Sequence, residues 1–299
     1  MNEGSKNQVR LLLAVLPEVA KETCFAMHGG TAINLFLRDM PRLSVDIDLT
    51  YVEISRRDEA LWAINEGLVR IKESLEVKHP TVRVQHKANT CKLLLDREGV
   101  TVKVEVNMVG RGLLGQPERV PLCDAAQDAF DVFCDMILVP RGQLYGGKLC
   151  AALDRQHPRD LFDVKLLLDN EGLSDEIRQG LVYGLLSSNR PTHEMLEPNL
   201  LDQRSAFENQ FEGMSFREFT YDDFQQVRDN LIQRVRQSLT AQDKAFLLSV
   251  NRLNPDWSIY DYEAFPSVKW KLLNLAHFKK TNPKAHQGQL ALLEQILDG

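Results

Sequence analysis

Two aspartates one residue apart, Asp46 and Asp48 in the run RLSVDIDLTYV, are the residues here whose type and spacing point first to chemistry. In a strand, residues two apart project from the same face, so the carboxylates stand side by side while Val45, Ile47 and Leu49 face a core. Carboxylates that close repel, and one takes up a proton unless a cation compensates. Hard oxygen ligands at this spacing suit Mg²⁺, which keeps several waters and bridges to substrate phosphates. In VTVKVEVNM, Val102, Val104 and Val106 alternate with Lys103, Glu105 and Asn107, which puts Glu105 on the polar face of a strand able to pair beside the first. Three convergent carboxylates are the pattern of a two-metal phosphoryl-transfer site, where one ion activates a hydroxyl and the other stabilises a polyphosphate leaving group.

Upstream, Gly29 and Gly30 precede a helix-like run from Thr31 to Arg38. Glycine lets backbone N–H groups approach a phosphate closely, and a helix N-terminus favours negative charge. The pair alone is a common turn, and it becomes specific only with the D-x-D that follows. A second cluster lies in YGGKLCAALDRQHPRDLFDV. On a helix over 141–154, Lys148, Ala152 and Arg155 share a face, and Lys148 is able to reach triphosphate oxygens as a point charge. Asp160 suits a helix N-terminus, and Asp163 stands where it orients either Lys148 or Arg159. The competing reading is a network of surface ion pairs. Because Lys148 lies outside the D-x-D strand, its loss is expected to leave folding largely unaffected if its task is the triphosphate.

Positioning these groups requires a mixed α/β unit. Helical spacing over 8–22 leads to a short strand at 25–27, a helix over 31–38 with Thr31 as N-cap, and a strand over 44–52. A helix over 57–75 precedes strands at 82–85, 91–96 and 100–109, the last two joined as a hairpin through Arg97-Glu98-Gly99. From Arg141 strand signals fade, and helices are expected over 141–154, 160–170, 174–187, 222–238, 241–249 and 266–298, the last interrupted at Asn282-Pro283. The expected class is α/β, a small mixed-sheet core over residues 1–165 followed by an α-helical domain over 166–299.

The chain has 299 residues with formal net charge -6, which argues against coating nucleic acid through bulk electrostatics. Five cysteines without a C-x-x-C pair suit reduced thiols rather than a disulfide framework or zinc site. The first apolar run is broken by Pro17 and Glu18 and reads as an amphipathic helix. No stretch approaches membrane-spanning length, so a cytoplasmic protein with no membrane partner is expected.

Taken in order, HGGTAINLF…RLSVDIDLTYV, VKVEVN and GGKLCAALDRQHPRDLFDV resemble the AbiEii-type nucleotidyltransferase toxins, within the DNA polymerase β-like nucleotidyltransferase superfamily. PSVKWKLLNL is similar to a C-terminal block of that family. The resemblance implies that Gly29, Gly30 and Thr31 match its glycine motif, and that Asp46 and Asp48 match its metal carboxylates, preceded by Ser44 of R-x-S-x-D-x-D. It also implies that Lys148 and Asp163 match its later lysine and aspartate, the latter within R-D-x-x-D beginning at Arg159. The superfamily commonly has G-S where this chain has Gly29-Gly30, and Thr31 or Ser44 then stands in as phosphate donor. Family members are toxins of toxin–antitoxin and phage-defence systems, which implies a cognate antitoxin, an NTP donor and an RNA acceptor, a tRNA 3′ end in the members that resemble tRNA-modifying enzymes. A small-molecule or protein acceptor and a non-catalytic module of the same fold are the alternatives.

Between Ala264 and His286 the chain carries Lys269, Lys271, Lys279, Lys280 and Lys284 with no acidic residue, interleaved with Phe265, Trp270 and Phe278. Such a surface suits RNA backbone and unstacked bases. The alternative is a solvated helix face over a core that holds Trp270.

Overall fold

The apolar alternation around Asp46 and Glu105 becomes two neighbouring strands of one sheet in the computed structural model, which describes residues 3–298. Helix α1 (Glu3–Val19) leads to β1 (Phe25–His28), a short helix α2 (Gly29–Ala32) that continues as a π-helical turn over Ile33–Leu37, and β2 (Asp46–Tyr51). There follow α3 (Arg57–Lys78), β3 (Arg83–Lys87), β4 (Lys92–Arg97), β5 (Val100–Asn107), β6 (Glu118–Pro121), α4 (Asp124–Phe130) and β7 (Asp135–Leu138). The sheet has the order β3-β4-β5-β2-β1-β7-β6. β2 is central, antiparallel to β1 and parallel to β5. Ile47, Leu49, Val104 and Val106 are buried on one face with the apolar sides of α1 and α3, which leaves the other face for polar groups.

Strands β6 and β7 have four residues each, and the sequence reading passes over them. β7 exists because β1 supplies a parallel partner at Met27↔Leu138 and β6 then pairs with β7. Thr31 does not cap its helix: the helix begins at Gly29, with His28 at the N-cap position.

The rest is helical: α5 (Arg141–Arg155), α6 (Pro158–Asn170), α7 (Asp175–Ser187), α8 (Thr192–Leu196), α9 (Arg204–Gln210), α10 (Tyr221–Ser238), α11 (Ala241–Asn251), α12 (Pro266–Thr281) and α13 (Pro283–Asp298). Two units result, Met1–Pro140 with Phe211–Glu218, and Arg141–Gln210 with Phe219–Gly299. The first unit runs to Pro140 and α5 packs on α7 within the second, whereas the sequence reading divides the chain near 165. The segment 211–218 belongs to the first unit through Leu43 N–H to Met214 O (2.8 Å) and Phe216 N–H to Pro41 O (3.0 Å). No described helix is long and apolar enough to cross a membrane, and all five cysteines are free.

In the second unit α5 and α7 meet glycine to glycine. A methyl built on Gly180 would lie 1.8 Å from Gly142 O, and one on Gly146 would lie 2.1 Å from the carbonyl carbon of Gly180. Around α11 and α12, Tyr183, Phe246, Tyr260, Tyr262 and Phe265 form an edge-to-face cluster. Within PSVKWKLLNL, Lys271 is buried and its ammonium donates to Ser188 O (2.9 Å) and Arg190 O (2.5 Å), so it ties down the chain after α7. Burial lowers its pKa to about 8, against the smaller opposing pulls of Cys150 and Glu194. Between that value and about 10.4, the usual lysine pKa, the unfolded chain binds more protons than the folded one, so stability rises with pH there. The unfolding free energy of the wild type relative to Lys271→Met is accordingly expected to grow between pH 8 and 10.5, by on the order of 2–3 kcal/mol. Urea titrations of both proteins at several pH values measure this; a flat difference would show that Lys271 keeps an ordinary pKa.

Candidate active site

β1 ends at His28, which pairs with Asp48 across the β1–β2 ladder. The chain then turns through Gly29, whose φ of +79° is a left-handed conformation that glycine adopts without strain. A methyl on Gly29 would sit 2.7 Å from Asp48 Oδ2, and one on Gly30 would sit 2.8 Å from Arg42 Nη2 and 2.9 Å from Ser44 Oγ. The two glycines therefore let the helix start lie directly on the polar side chains of the strand that follows. The π-helical turn, closed by Arg38 N–H to Ile33 O (2.9 Å), follows immediately, a distortion common at functional sites.

Thr31 and Ser44 are buried. Thr31 Oγ1 donates to Asp46 O (2.5 Å) and lies 3.0 Å from Ser44 Oγ, which fastens the helix to the start of β2. The Thr31 hydroxyl proton is taken up by this fastening, so donation from Thr31 to a phosphate would need it to open, whereas Ser44 accepts in it and keeps its own O–H. Arg42 is a component the sequence reading leaves unnamed, although it heads the motif R-x-S-x-D-x-D. It is 2% exposed, donates from Nη1 to Leu43 O (2.8 Å), and places a cation beside Gly30 and Ser44. Its signal was the alternation of Arg42, Ser44, Asp46 and Asp48, every second residue.

Strand register brings the three predicted carboxylates onto one face. Asp46 is opposite Lys103, and Asp48 is opposite Glu105. Glu105 is in turn opposite Lys92, and Lys92 opposite Lys87. One row across five strands thus reads His28, Asp48, Glu105, Lys92, Lys87. Asp46 and Asp48 are half-buried. Glu105 has both oxygens engaged, Oε1 with Lys92 Nζ at 2.9 Å and Oε2 with Lys103 Nζ at 2.8 Å. Partial burial opposes ionisation of Glu105, and the two ammonium groups outweigh it and hold its pKa below the usual range. Lys103 is shifted the other way: partial burial disfavours its charge, but Glu105, Asp46 and Asp48 together raise its pKa.

Among the described residues no group of three or more His, Cys, Asp or Glu is gathered as a ready metal cage. The donor set that fits an ion is the pair Asp46 and Asp48. Two hard carboxylates on one strand face suit Mg²⁺, which takes its remaining ligands from water and phosphate rather than from the protein alone.

In the second unit Lys148 is 6% exposed and bonds Asp160 Oδ1 at 2.8 Å and Asp163 Oδ2 at 3.0 Å. Asp163 is 0% exposed. Arg155 adds Nε to Asp160 Oδ2 at 2.6 Å. Burial opposes the ionisation of Asp160, and Lys148 and Arg155 overcome it, holding its carboxyl well below the usual carboxylate range. Lys148, Asp160 and Asp163 are interior rather than surface ion pairs, and burial of this kind makes removal of Lys148 costly to stability. Asp160 pairs with Lys148 as closely as Asp163 does. His157 is the α6 N-cap: its Nδ1 accepts from Arg159 N–H (3.1 Å) and its Nε2 meets Gln210 Oε1 (3.0 Å). Arg159 itself is half-buried, and Tyr145 is packed in the core.

On α12, Trp270 is 50% exposed rather than packed inside, and Leu273, Lys269, Lys279 and Lys280 are exposed with it. Phe265 is buried in the aromatic cluster, and Phe278 lies against His286. Of the late lysines only Lys271 turns inward among the described residues.

Comparison with known proteins adds family and fold. The sequence model described as nucleotidyl transferase AbiEii toxin, type IV toxin–antitoxin system, matches residues 10–274. No curated protein sequence matches significantly. Among solved structures, MenT4, a nucleotidyltransferase toxin from Mycobacterium tuberculosis H37Rv, superposes with TM-score 0.61 at 14% identity, over 92% of this chain and 95% of that one.

Proposed function

Because the chain belongs to the AbiEii nucleotidyltransferase toxin family, we propose that it transfers a nucleoside monophosphate from an NTP to an RNA acceptor, a tRNA 3′ end, in a reaction dependent on Mg²⁺. Membership makes it a nucleotidyltransferase toxin with an NTP donor and a cognate antitoxin. The acceptor, the ion, a cytoplasmic location and a role in phage defence belong to the proposal. The observation that carries it is the Asp46–Asp48 pair under the Gly29–Gly30 turn, where a single methyl would strike Asp48.

Asp46 and Asp48 would hold the ion, and when bound there Mg²⁺ supplies Lewis acidity toward phosphate oxygens and the attacking hydroxyl. The chain's own residues do the rest. The glycine turn lies directly against Asp48, and Thr31, bonded to Asp46 O and Ser44 Oγ, fastens the helix that follows it to the start of β2. Lys148 and Asp163 are carried as participants on their motif match. Catalysis of this kind is mainly positioning and charge neutralisation.

The test is incubation of the protein with total RNA and each labelled NTP in turn. Label in tRNA-sized RNA is expected. Label in protein or in a small molecule would replace the acceptor, and no incorporation with any NTP would overturn the reading. The outward face of α12 supports RNA as the acceptor, since base stacking on an exposed aromatic adds to phosphate contacts. Trp270→Ala should weaken RNA binding roughly tenfold, and replacing Lys279, Lys280 and Lys284 by Gln should flatten its salt dependence. An unchanged salt slope would make those lysines a solvated face only.

A further inference from the structure

Glu105 is the one carboxylate of the polar row whose two oxygens are each held by a separate lysine, and those lysines come from different directions. Lys92 reaches it across the β4–β5 ladder, and Lys103 comes from two residues earlier on β5 itself. All three side chains are about one-third exposed, at 31%, 34% and 32% for Lys92, Lys103 and Glu105. They are neither buried as a structural bridge nor free in solvent. For Glu105 to ligate an ion it would have to share with it an oxygen that already accepts from an ammonium, at 2.9 Å from Lys92 or 2.8 Å from Lys103. Left as it is, it holds two ammonium groups beside Asp46 and Asp48, with Lys103 opposite Asp46 and Glu105 opposite Asp48.

Charge balance says what such a fork is for. Asp46, Asp48 and Glu105 against Lys92, Lys103, Lys87 and Arg42 leave one net positive charge on this face. Binding a divalent ion raises that to three, and the excess is met by an anion with several charges close together. An ammonium is a compact point charge with three donors, able to keep one carboxylate contact while turning another donor to a phosphate oxygen.

We propose that Lys92 and Lys103 form a polyphosphate-binding pair for the NTP, and that Glu105 is their positioning residue rather than a third metal ligand. This rests on the nucleotidyltransferase reading above and deepens it.

Two binding measurements on the full chain test it without turnover. The first is calorimetric titration with inorganic tripolyphosphate in the presence of EDTA. Lys92→Gln with Lys103→Gln should weaken binding at least tenfold, while Lys92→Arg with Lys103→Arg should restore most of it. The second is Mn²⁺ binding followed by electron paramagnetic resonance without nucleotide. Glu105→Gln should leave Mn²⁺ affinity within about threefold, whereas Asp46→Asn should abolish it. Loss of Mn²⁺ binding in Glu105→Gln, or unaltered tripolyphosphate affinity in the double glutamine variant, would overturn the proposal. In steady-state assays the lysine variants should raise the KM for NTP and leave the KM for RNA unchanged; the reverse would assign the pair to acceptor phosphates instead and so overturn it. Melting curves check that each variant is folded. A wild type that binds tripolyphosphate through these lysines yet transfers no nucleotide would sink the transferase reading alone, so the two failures are distinguishable.

Discussion

Asp46→Asn with Asp48→Asn should lower nucleotide transfer by about three orders of magnitude or more, the scale of losing several kcal/mol of charge stabilisation. The fold should survive it. Both side chains are half-buried, Asn is close to isosteric with Asp, and the change relieves repulsion between neighbours while leaving Lys103 its partner Glu105. The melting temperature is expected to stay within a few degrees of wild type, and Mn²⁺ binding should disappear. Transfer at wild-type rates by the double variant would remove Asp46 and Asp48 from the chemistry.

The second large effect is on stability. Lys148→Ala would leave Asp160 and Asp163 in the interior without the ammonium that lies 2.8 and 3.0 Å from them. Breaking a buried ion pair by removing one partner costs about 3–5 kcal/mol, which for a chain of this size is roughly 10 °C in melting temperature. A drop in activity in that variant says nothing about catalysis. The informative protein is the neutral triple variant Lys148→Met, Asp160→Asn, Asp163→Asn, which should recover most of the lost stability because no charge is stranded. If Lys148 serves the triphosphate, the refolded triple variant should still transfer nucleotide about two to three orders of magnitude more slowly than wild type. Recovery of transfer along with stability would make the cluster purely structural.

Acid gives the same network a second signature. Asp160 has a depressed pKa in the fold, so its contribution is complete above the unfolded value of about 3.9 and is lost as pH falls toward the folded value. The stability of the wild type should therefore fall relative to that of the triple variant below about pH 4.

The elements around the proposed chemistry were legible because they obey simple periods. Alternation placed Asp46, Asp48 and Glu105 on one polar face, and register put Glu105 directly beside Asp48. What alternation does not carry is which partner a side chain takes. Lys92 and Lys103 read as ordinary strand lysines, and only the β4–β5 register shows that they converge on Glu105. Burial was equally silent for Lys148. The helix spacing set its face, but a lysine's usual preference for solvent hid an interior pair with Asp160 and Asp163. Trp270 stood open between an RNA-facing surface and a core, because spacing alone does not say which face of α12 packs; α12 turns Val268 and Lys271 inward and leaves Trp270 half-exposed. Strand β7 was beyond reach because its partner β1 lies more than a hundred residues earlier, and β6 pairs with β7.

The crossing of α5 and α7 sets how much give there is in the placement of Lys148. An ordinary helix–helix contact is lined by side chains that change rotamer, so one helix can slide a little while its neighbours re-seat. At Gly142, Gly146 and Gly180 there are no rotamers to change, and backbone meets backbone. The two helices have no soft coordinate between them and behave as one strut. Lys148 rides on that strut, and its ammonium is held at the far end by Asp160 and Asp163 of α6, so its position is fixed from both ends.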